Sequence, residues 1–256
     1  MIIPPEMIGI VSLGMVLFTA MLIIIFALIQ RRFPLSVRNI PAFNRIRRAV
    51  SLVVEDGTRL HISLGHGNLQ TQFGAAAFVG LSLLRRLGEV TSLSDRPPIA
   101  TSGDSVLNIV AQDTLRSAHE AVAVEQALDI NNGRLTGLTP FSYAAGVMPI
   151  IRDESISTNV LIGNFGIEAG LLVEAAERQE AVVVAASDNL PAQAILYAIS
   201  PDAIIAEELF AAGAYVQAGP AHNASLLAQD ILRWLVIIIL LVGAIGAILK
   251  IITGIP

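Results

Sequence analysis

The chain has no cysteine and little charge. Of its 256 residues only 14% are charged, and Lys250 is the one lysine. The absence of cysteine excludes a disulfide framework, a thiolate nucleophile, an iron–sulfur cluster and a cysteine zinc site. A lone lysine in an apolar C-terminal tail excludes P-loop phosphate binding and Schiff-base chemistry, and a net charge of −5 argues against nucleic-acid binding. The sequence indicates no particular cofactor or metal.

What the chain has instead is apolar sequence at both ends. Residues 7–30 form a run of 24 residues without a charge. As a helix this run is about 36 Å long, enough to cross a hydrocarbon core of about 30 Å, and it predicts a first transmembrane helix. A cleaved signal peptide is the alternative. The preceding MIIPPE carries an acid where a basic residue is expected, and no small-residue cleavage site follows the run.

Residues 233–253 predict a second transmembrane helix. Sixteen uncharged residues run from Trp234 to Leu249, and the span reaches full length if Lys250 extends to the headgroups. Trp234 beside Arg233 suits a membrane interface. The alternative is a buried helix of a soluble core, but such helices seldom run this long without a polar face.

Residues 31–48, between the first apolar run and the middle of the chain, are rich in arginine. Because positive residues stay inside, they predict a cytoplasmic domain with both termini outside. We expect this linker to lie against anionic headgroups, with Ile40, Phe43 and Ile46 helping at helical spacing. Equally, the arginines could act only as topology signals. The membrane-surface residues predicted here are Arg31, Arg32, Arg38, Arg45, Arg47 and Arg48.

Residues 49–232 predict one acidic domain, with twenty acidic and eight basic residues. Residues 51–55 and 58–64 around Asp56-Gly57 predict a β-hairpin, and residues 70–87 a helix whose small residues permit packing on another helix or a neighbouring subunit. Apolar strands then alternate with helices. The pattern predicts an α/β fold, a mostly parallel sheet with helices on both faces, flanked by the two transmembrane helices. Strands are expected at 97–101, 158–162 and 181–186, and helices at 105–124, 167–178, 191–199 and from about 220 through Trp234.

Three strand-to-helix loops meet at the carboxyl edge of such a sheet and predict a ligand site. Glycines let a ligand approach the backbone, and helix N-termini offer N–H groups to an anion. Asp104 and Asp188 could instead hold ribose hydroxyls or a divalent cation. The alternative is that these residues only cap helices. The predicted ligand-binding residues are Ser102, Gly103, Asp104, Ser105, Gly163, Asn164, Gly166, Ser187, Asp188 and Asn189.

No catalytic motif is complete. GDSVL, from Gly103, is similar to an esterase nucleophile block whose partner blocks are missing, and His119 lies about 21 Å from Ser105 on one predicted helix. His222 could complete a triad only by tertiary proximity. His61 and His66 are five residues apart, on opposite faces of a continuous strand. We therefore expect surface or turn histidines and not metal ligands. GNFGIEAG departs from the dinucleotide-binding glycine pattern.

Gly243, Gly246 and Ala247 place small residues together in the second apolar segment. Such residues let another helix approach closely, so we expect a homo-oligomer, although they could also pack on the first helix of the same chain.

The run RLTGLTPFSYAAGVMPIIRDESISTNVLIGNFG (residues 134–166), with TSGDS before it and SDNLPAQAILYA and EELFAAGAYVQAGPAHNASLLAQDILRW after it, resembles a family of bacterial membrane proteins known only as a domain of unknown function. The resemblance implies a bacterial membrane protein but no activity, cofactor or catalytic residue. Two hypotheses follow. One is a non-enzymatic, homo-oligomeric scaffold of the inner membrane that binds a small polar or anionic ligand; the other is a membrane-tethered hydrolase or transferase acting at the loop edge.

Overall fold

The computed structural model describes residues 5–30, 38–71, 74–92, 94–122, 129–200 and 203–253. Arg31 and Arg32 lie outside these residues. The chain divides into two compact units, one made of Met1–Ser36 with Gly219–Pro256 and the other of Val37–Ala218. The helices are α1 (Pro5–Gln30), α2 (Pro41–Asp56), α3 (Gly74–Thr91), α4 (Ser105–Ala121), α5 (Pro140–Asp153), α6 (Ala169–Glu177), α7 (Leu190–Ile199), α8 (Ala212–Tyr215) and α9 (Pro220–Thr253); the strands are β1 (Arg59–Gly65), β2 (Ile99–Ser102), β3 (Gly133–Leu135), β4 (Ile156–Asn164) and β5 (Val182–Ser187).

The first unit consists of α1 and α9, which pack against each other. Gly9–Ile29 and Pro220–Leu249 each reach a mean hydropathy of 2.7 and are long enough to cross a membrane. The predicted continuation of the last helix from Pro220 through Trp234 is confirmed, since α9 runs for 34 residues. Both terminal helices are therefore candidate membrane spans.

The second unit is built on a sheet of five parallel strands in the order β3-β2-β1-β4-β5. Ile62 of β1 lies opposite Ala100 of β2 on one side and Val160 of β4 on the other. The chain thus builds outward from β1 to β3, then returns to β1 and continues on its other side. This is the strand order of a doubly wound, Rossmann-like sheet. The predicted parallel α/β sheet is confirmed.

Helices cover both faces of the sheet, as predicted. Leu60, Ile62 and Leu64 of β1 face α2, α3 and α4, and all three are fully buried. On the opposite face Leu161 of β4 and Ala185 of β5 pack under α5, α6 and α7. Each such aliphatic side chain contributes about 1.5–3 kcal/mol on full burial, which explains why the strands are nearly continuous apolar runs.

The predicted hairpin at residues 51–64 is wrong in its first half. Residues 51–55 form the last turns of α2, because Phe43, Ile46, Val50 and Val53 recur at helical spacing and are buried on one side. Gly57 has φ 63° and donates its N–H to the Val53 carbonyl. The glycine therefore ends a helix in the left-handed conformation instead of turning a hairpin.

The expectation that Ile40, Phe43 and Ile46 face a membrane is also wrong. All three side chains are buried in the core of the second unit, beneath α2. Their polar neighbours are bound within the same unit: Arg38 pairs with Glu208, and Arg47 donates to the Tyr215 carbonyl. Apolar residues of the arginine-rich segment thus stabilise the domain and are not available to lipid.

The small residues predicted along 70–87 face the protein's own interior. Ala76 and Ala77 are fully buried, and a Cβ added at Gly80 would lie 2.6 Å from the Ile162 carbonyl oxygen of β4. A Cβ at Gly88 would lie 3.2 Å from Ala118 of α4. The predicted packing on another helix is present, whereas the small residues of α3 that face the sheet and α4 are not available to a neighbouring subunit.

Gly80→Ala tests this close helix–sheet contact. Because the contact at 2.6 Å is with a backbone oxygen of β4, the clash should cost about 2–3 kcal/mol, and the higher helix propensity of alanine recovers about 1 kcal/mol at most. Since 1 kcal/mol corresponds to roughly 2–4 °C in a domain of this size, the melting temperature followed by circular dichroism should fall by a few degrees. Ser82→Ala, on the outer side of α3, is the control and should change it little. An unchanged melting temperature in Gly80→Ala would contradict the packing described.

Candidate functional site

The carboxyl ends of β1 and β4 lie side by side where the strand order reverses. Gly65 is in register with Asn164, and the N–H of His66 donates to the Asn164 carbonyl at 3.0 Å. On the other side, the N–H of Gly103 after β2 donates to the Gly65 carbonyl at 2.8 Å. Ligands of doubly wound sheets bind in the crevice at this reversal. The crevice between β1 and β4 is therefore the candidate site.

A histidine–carboxylate pair occupies this crevice. The Nε2 atom of His66 lies 2.7 Å from Oε1 of Glu168, and the N–H of Gly166 donates to the same oxygen at 2.7 Å. The Glu168 side chain is 0% exposed, whereas His66 keeps 17% of its side-chain surface exposed. A buried carboxylate behind a partly exposed imidazole fixes the orientation of the ring and places a proton on Nε2.

Glu168 is ionised at neutral pH. Burial alone raises the pKa of its carboxyl, but hydrogen bonds from His66 and from the Gly166 N–H outweigh burial, so the pKa of Glu168 lies below its usual value. The second carboxylate oxygen, Oε2, is buried and has no hydrogen-bond partner among the described residues. The crevice therefore contains a charged acceptor with unused capacity.

Beneath this pair, buried polar side chains join three strands to α5. His61 of β1 contacts Asn159 Oδ1 of β4 through Nδ1 at 2.6 Å and Thr101 Oγ1 of β2 through Nε2 at 2.9 Å. The Tyr143 hydroxyl of α5 lies 2.9 Å from Thr101 Oγ1 and 2.6 Å from Ser63 Oγ. These hydrogen bonds replace the water that the bonded atoms lose on burial, whereas Nδ2 of Asn159 has no partner among the described residues.

The buried network is uncharged. Burial lowers the pKa of His61 to about 4, although the hydrogen bond to Asn159 acts in the opposite direction. Burial likewise raises the pKa of Tyr143 to about 12, against hydrogen bonds from Ser63 and Thr101 that lower it. The Tyr143 ring meets the His66 ring edge-on, with centroids 6.4 Å apart. The network thus forms a neutral support under the His66–Glu168 pair.

In the first predicted loop, the polar groups are bound locally. Asp104 accepts the N–H of Leu107 at 2.9 Å and so caps α4, while the Ser102 hydroxyl donates to the Asp104 carbonyl at 3.2 Å. Ser105 is the exposed first residue of α4. A Cβ added at Gly103 would lie 2.7 Å from the His66 Cβ, so this glycine lets the loop lie against His66.

The second and third predicted loops contact each other. Asn164 donates to Asp188 Oδ1 at 2.7 Å, and the Ser187 hydroxyl accepts the N–H groups of Phe165 and Asn189 at 3.1 and 3.2 Å. A Cβ added at Gly163 would lie 2.0 Å from the Leu64 carbonyl oxygen, and one at Gly166 would lie 2.6 Å from Glu168 Oε2. These glycines accommodate neighbouring parts of the chain.

The expectation that His61 and His66 are surface or turn histidines is wrong for His61, which is fully buried within β1. His66 follows β1 directly and pairs with Glu168. Sequence reasoning missed His66, Glu168 and Tyr143 as site residues. The Gly65-His66-Gly67 sequence after β1 was the local signal for His66. Glu168 lies 102 residues away and gives no such signal.

The serine–histidine pairing within α4 is excluded by geometry. The helix is continuous from Ser105 to Ala121, so His119 stays about 21 Å from Ser105 along the axis. His222 belongs to α9 and to the other compact unit. Among the described residues, no group of three or more histidine, aspartate or glutamate side chains is placed to hold a metal ion.

His61 predicts a pH dependence of stability. Its folded pKa of about 4 lies below the unfolded value of about 6.5, so the unfolded chain takes up a proton first as the pH falls. The free energy of unfolding should therefore decrease from pH 6.5 to 4, by roughly 3 kcal/mol in all, and this contribution should level off below pH 4.

Denaturant unfolding of the wild type and of His61→Gln at pH 4–7 gives the free energy of unfolding of each protein as a function of pH. The difference between these two pH profiles is the contribution of His61. An NMR titration of the wild type is independent of the variant's folding, and the His61 ring signal should not move above pH 5. Parallel pH profiles of the free energy of unfolding, or a His61 ring that titrates near pH 6.5, would contradict the assignment of His61 as buried and neutral.

The comparison with protein families gives one match. A family described as a domain of unknown function, DUF6754, matches residues 7–255. No curated protein and no solved structure matches the chain. Because the match spans both terminal helices and the whole α/β unit, the chain belongs to the DUF6754 family.

Proposed function

We propose that this protein is a homo-oligomeric scaffold of the bacterial inner membrane whose cytoplasmic α/β domain binds a small polar ligand in the crevice between β1 and β4. The observation that carries the ligand site is the His66–Glu168 pair at the reversal of strand order. A partly exposed imidazole over a buried carboxylate, at the position where such sheets bind ligands, is a site for recognition by hydrogen bonds.

The membrane part of the proposal is supported by the two apolar terminal helices. Arginines follow α1 in the sequence, and Arg47 and Arg48 are exposed on α2. By the positive-inside rule they place the α/β domain in the cytoplasm and both termini outside. The arginines bind anionic headgroups in this proposal without the help of Ile40, Phe43 and Ile46.

The chemistry of the crevice favours a ligand that donates hydrogen bonds. A phosphate needs free backbone N–H groups, and here the N–H groups of Leu107, Gly166 and Asn189 already donate to Asp104, Glu168 and Ser187. The edge instead carries the partly exposed carboxylates of Asp104 and Asp188, and the unpartnered Oε2 of Glu168 is buried within it. We therefore narrow the expected polar or anionic ligand to one with hydroxyl or ammonium groups.

A membrane-tethered hydrolase or transferase is the second candidate. The His66–Glu168 pair favours it, because a carboxylate that orients an imidazole is the usual arrangement of a general base. Against a serine nucleophile, the Ser102 hydroxyl donates to the Asp104 carbonyl, and the Ser187 hydroxyl is bonded to the backbone of Phe165 and Asn189. A binding role therefore has the stronger support.

The proposed oligomer is supported by the small residues of α9. A Cβ added at Gly243 or Gly246 would meet no atom within 4 Å in the described part of the chain. These glycines therefore do not serve close packing on α1, and they leave room for a helix of another copy.

Three probes test the ligand site in the full chain reconstituted in nanodiscs: D-ribose for hydroxyls, ethanolamine for ammonium, and inorganic phosphate. We expect ribose or ethanolamine to shift the His66 ring signal in NMR spectra at millimolar concentration, and phosphate to leave it unchanged. Glu168→Gln should abolish the shift, because the charged acceptor is lost. Glu174→Gln, on the exposed side of α6, is the matched control. A response to phosphate alone, or one that survives Glu168→Gln, would contradict the proposal.

Introduced single cysteines test on which side of the membrane the α/β domain lies, since the chain has no cysteine of its own. In intact bacterial cells a membrane-impermeant maleimide should label Ile3→Cys and should label Ser105→Cys only after lysis. The reverse pattern would place the α/β domain outside, and a chain that stays soluble without detergent would refute the membrane assignment.

A further inference from the structure

The outer surface of α5, α6 and α7 is apolar. Leu190 is 76% exposed, Tyr197 73% and Phe141 59%, and α7 contains no charged residue in its ten positions. With Met148 of α5 and with Ile167 and Leu171 at α6 they lie on or next to three helices that pack side by side, and we call this set the apolar face. Soluble surfaces seldom leave this many large apolar side chains together without a partner.

The opposite layer of the same unit differs. On α4 the exposed apolar residues Val106 and Ile109 are accompanied by exposed Asp113, Arg116 and Glu120, and α2 and α3 each expose one large apolar side chain, Leu52 and Phe78. The two layers cover the same sheet, so the contrast is not a general property of the unit. The apolar face is therefore a specific feature of α5–α7.

The apolar face carries both a depression and projections. A groove of about 460 Å³ lies between α5 and α6, with Ala145, Met148, Leu171 and Ala175 among its lining residues. Tyr197 and Leu190 project from the neighbouring α7. A surface that has both features can fit a copy of itself across a two-fold axis, since each projection of one copy can enter the groove of the other.

We propose that the apolar face is the surface through which the α/β domains of two copies of this chain associate. With side-chain areas on the order of 150–250 Å², the exposed fractions of its six large residues amount to roughly 500–850 Å². The alanines and prolines between them add to this area. A stable interface needs about 800 Å² from each partner, so the apolar face alone supplies most of one.

The charges around the apolar face favour a second copy over lipid. Exposed Arg152 pairs with Asp153, and exposed Arg178 pairs with Glu174 beside exposed Glu177, so two antiparallel copies could exchange these ion pairs across the interface. The unit from Val37 to Ala218 holds nineteen acidic and twelve basic residues. An anionic bilayer would repel such a surface. This inference rests on the proposed homo-oligomer and assigns the surface that its domains use.

Cross-linking of single-cysteine variants of the full chain in membranes tests the proposal. Tyr197→Cys lies on the apolar face, Ile109→Cys is an equally accessible control on α4, and Ala247→Cys reports contacts of α9. A flexible bis-maleimide should give several-fold more dimer with Tyr197→Cys than with Ile109→Cys. Adding Leu190→Glu to Tyr197→Cys should reduce the yield several-fold, because two carboxylates would have to be buried; Leu190 is exposed, so folding should be retained.

Equal yields from Tyr197→Cys and Ile109→Cys would overturn the assignment of the surface. If Ala247→Cys cross-links and Tyr197→Cys does not, the oligomer stands and the apolar face is refuted. If no variant cross-links, the homo-oligomer and the surface both fail. Protection of Tyr197→Cys from a soluble maleimide in nanodiscs that hold one copy would show that lipid covers the face, which also overturns the proposal.

Discussion

The close approach of β1 and β4 is the constraint on which the rest of the α/β unit depends. Gly65 has φ 70°, and a Cβ there would lie 2.1 Å from the Asn164 carbonyl oxygen; a Cβ at Gly163 would lie 2.0 Å from that of Leu64. Any side chain at either position would force the two strands apart. Since β1 and β4 are the strands at which the sheet reverses its direction of growth, this contact joins the two halves of the sheet. It also sets His66 opposite Glu168, so the same pair of glycines accounts for the fold and for the crevice.

The polar groups around this contact explain why the crevice is rigid. His61, Thr101 and Tyr143 lie on three different elements, and each would cost stability if it were buried without a partner. Joined together they fix β1, β2 and α5 relative to one another. A charge on His61 would disrupt the arrangement, and burial prevents it at neutral pH. The His66–Glu168 pair above can therefore remain fixed in position, and hydrogen-bonding capacity is left unused at the buried Oε2 of Glu168 and at Nδ2 of Asn159.

The sequence predicted the elements whose pattern is local. The strands around residues 99, 160 and 184 and the long terminal helices follow from apolar runs and their lengths. The sequence predicts a hairpin strand where α2 ends, because Asp56-Gly57 suits a hairpin turn and a helix end equally. The burial of Val50 and Val53 on one side of the segment shows that it is a helix. No helix was predicted at 140–153, where glycine and two prolines interrupt the pattern; Thr139 and Ser142 start α5 with a capping box, and Pro140 suits its first turn. The polar loops could be predicted from the sequence, but Glu168 could not be predicted as a site residue. The pairing of β1 with β4 brings it to His66, and no local sequence spacing indicates this contact.

The distribution of hydrogen-bond donors separates the two interpretations that the loops allowed. Helix caps and ligand sites draw on the same residue types, so composition alone could not choose between them. In the structure Asp104 accepts the Leu107 N–H and caps α4, whereas Ser187, at the end of β5, accepts the N–H groups of Phe165 and Asn189 in the neighbouring loops. Hydrogen bonds within the loops use the N–H groups of Leu107, Gly166 and Asn189, which an anion would need, and they leave Oε2 of Glu168 without a partner among the described residues. The proposed site therefore depends more on the His66–Glu168 pair than on the loop residues around it. The expected chemistry of the ligand follows from the hydrogen-bond acceptors that remain unused.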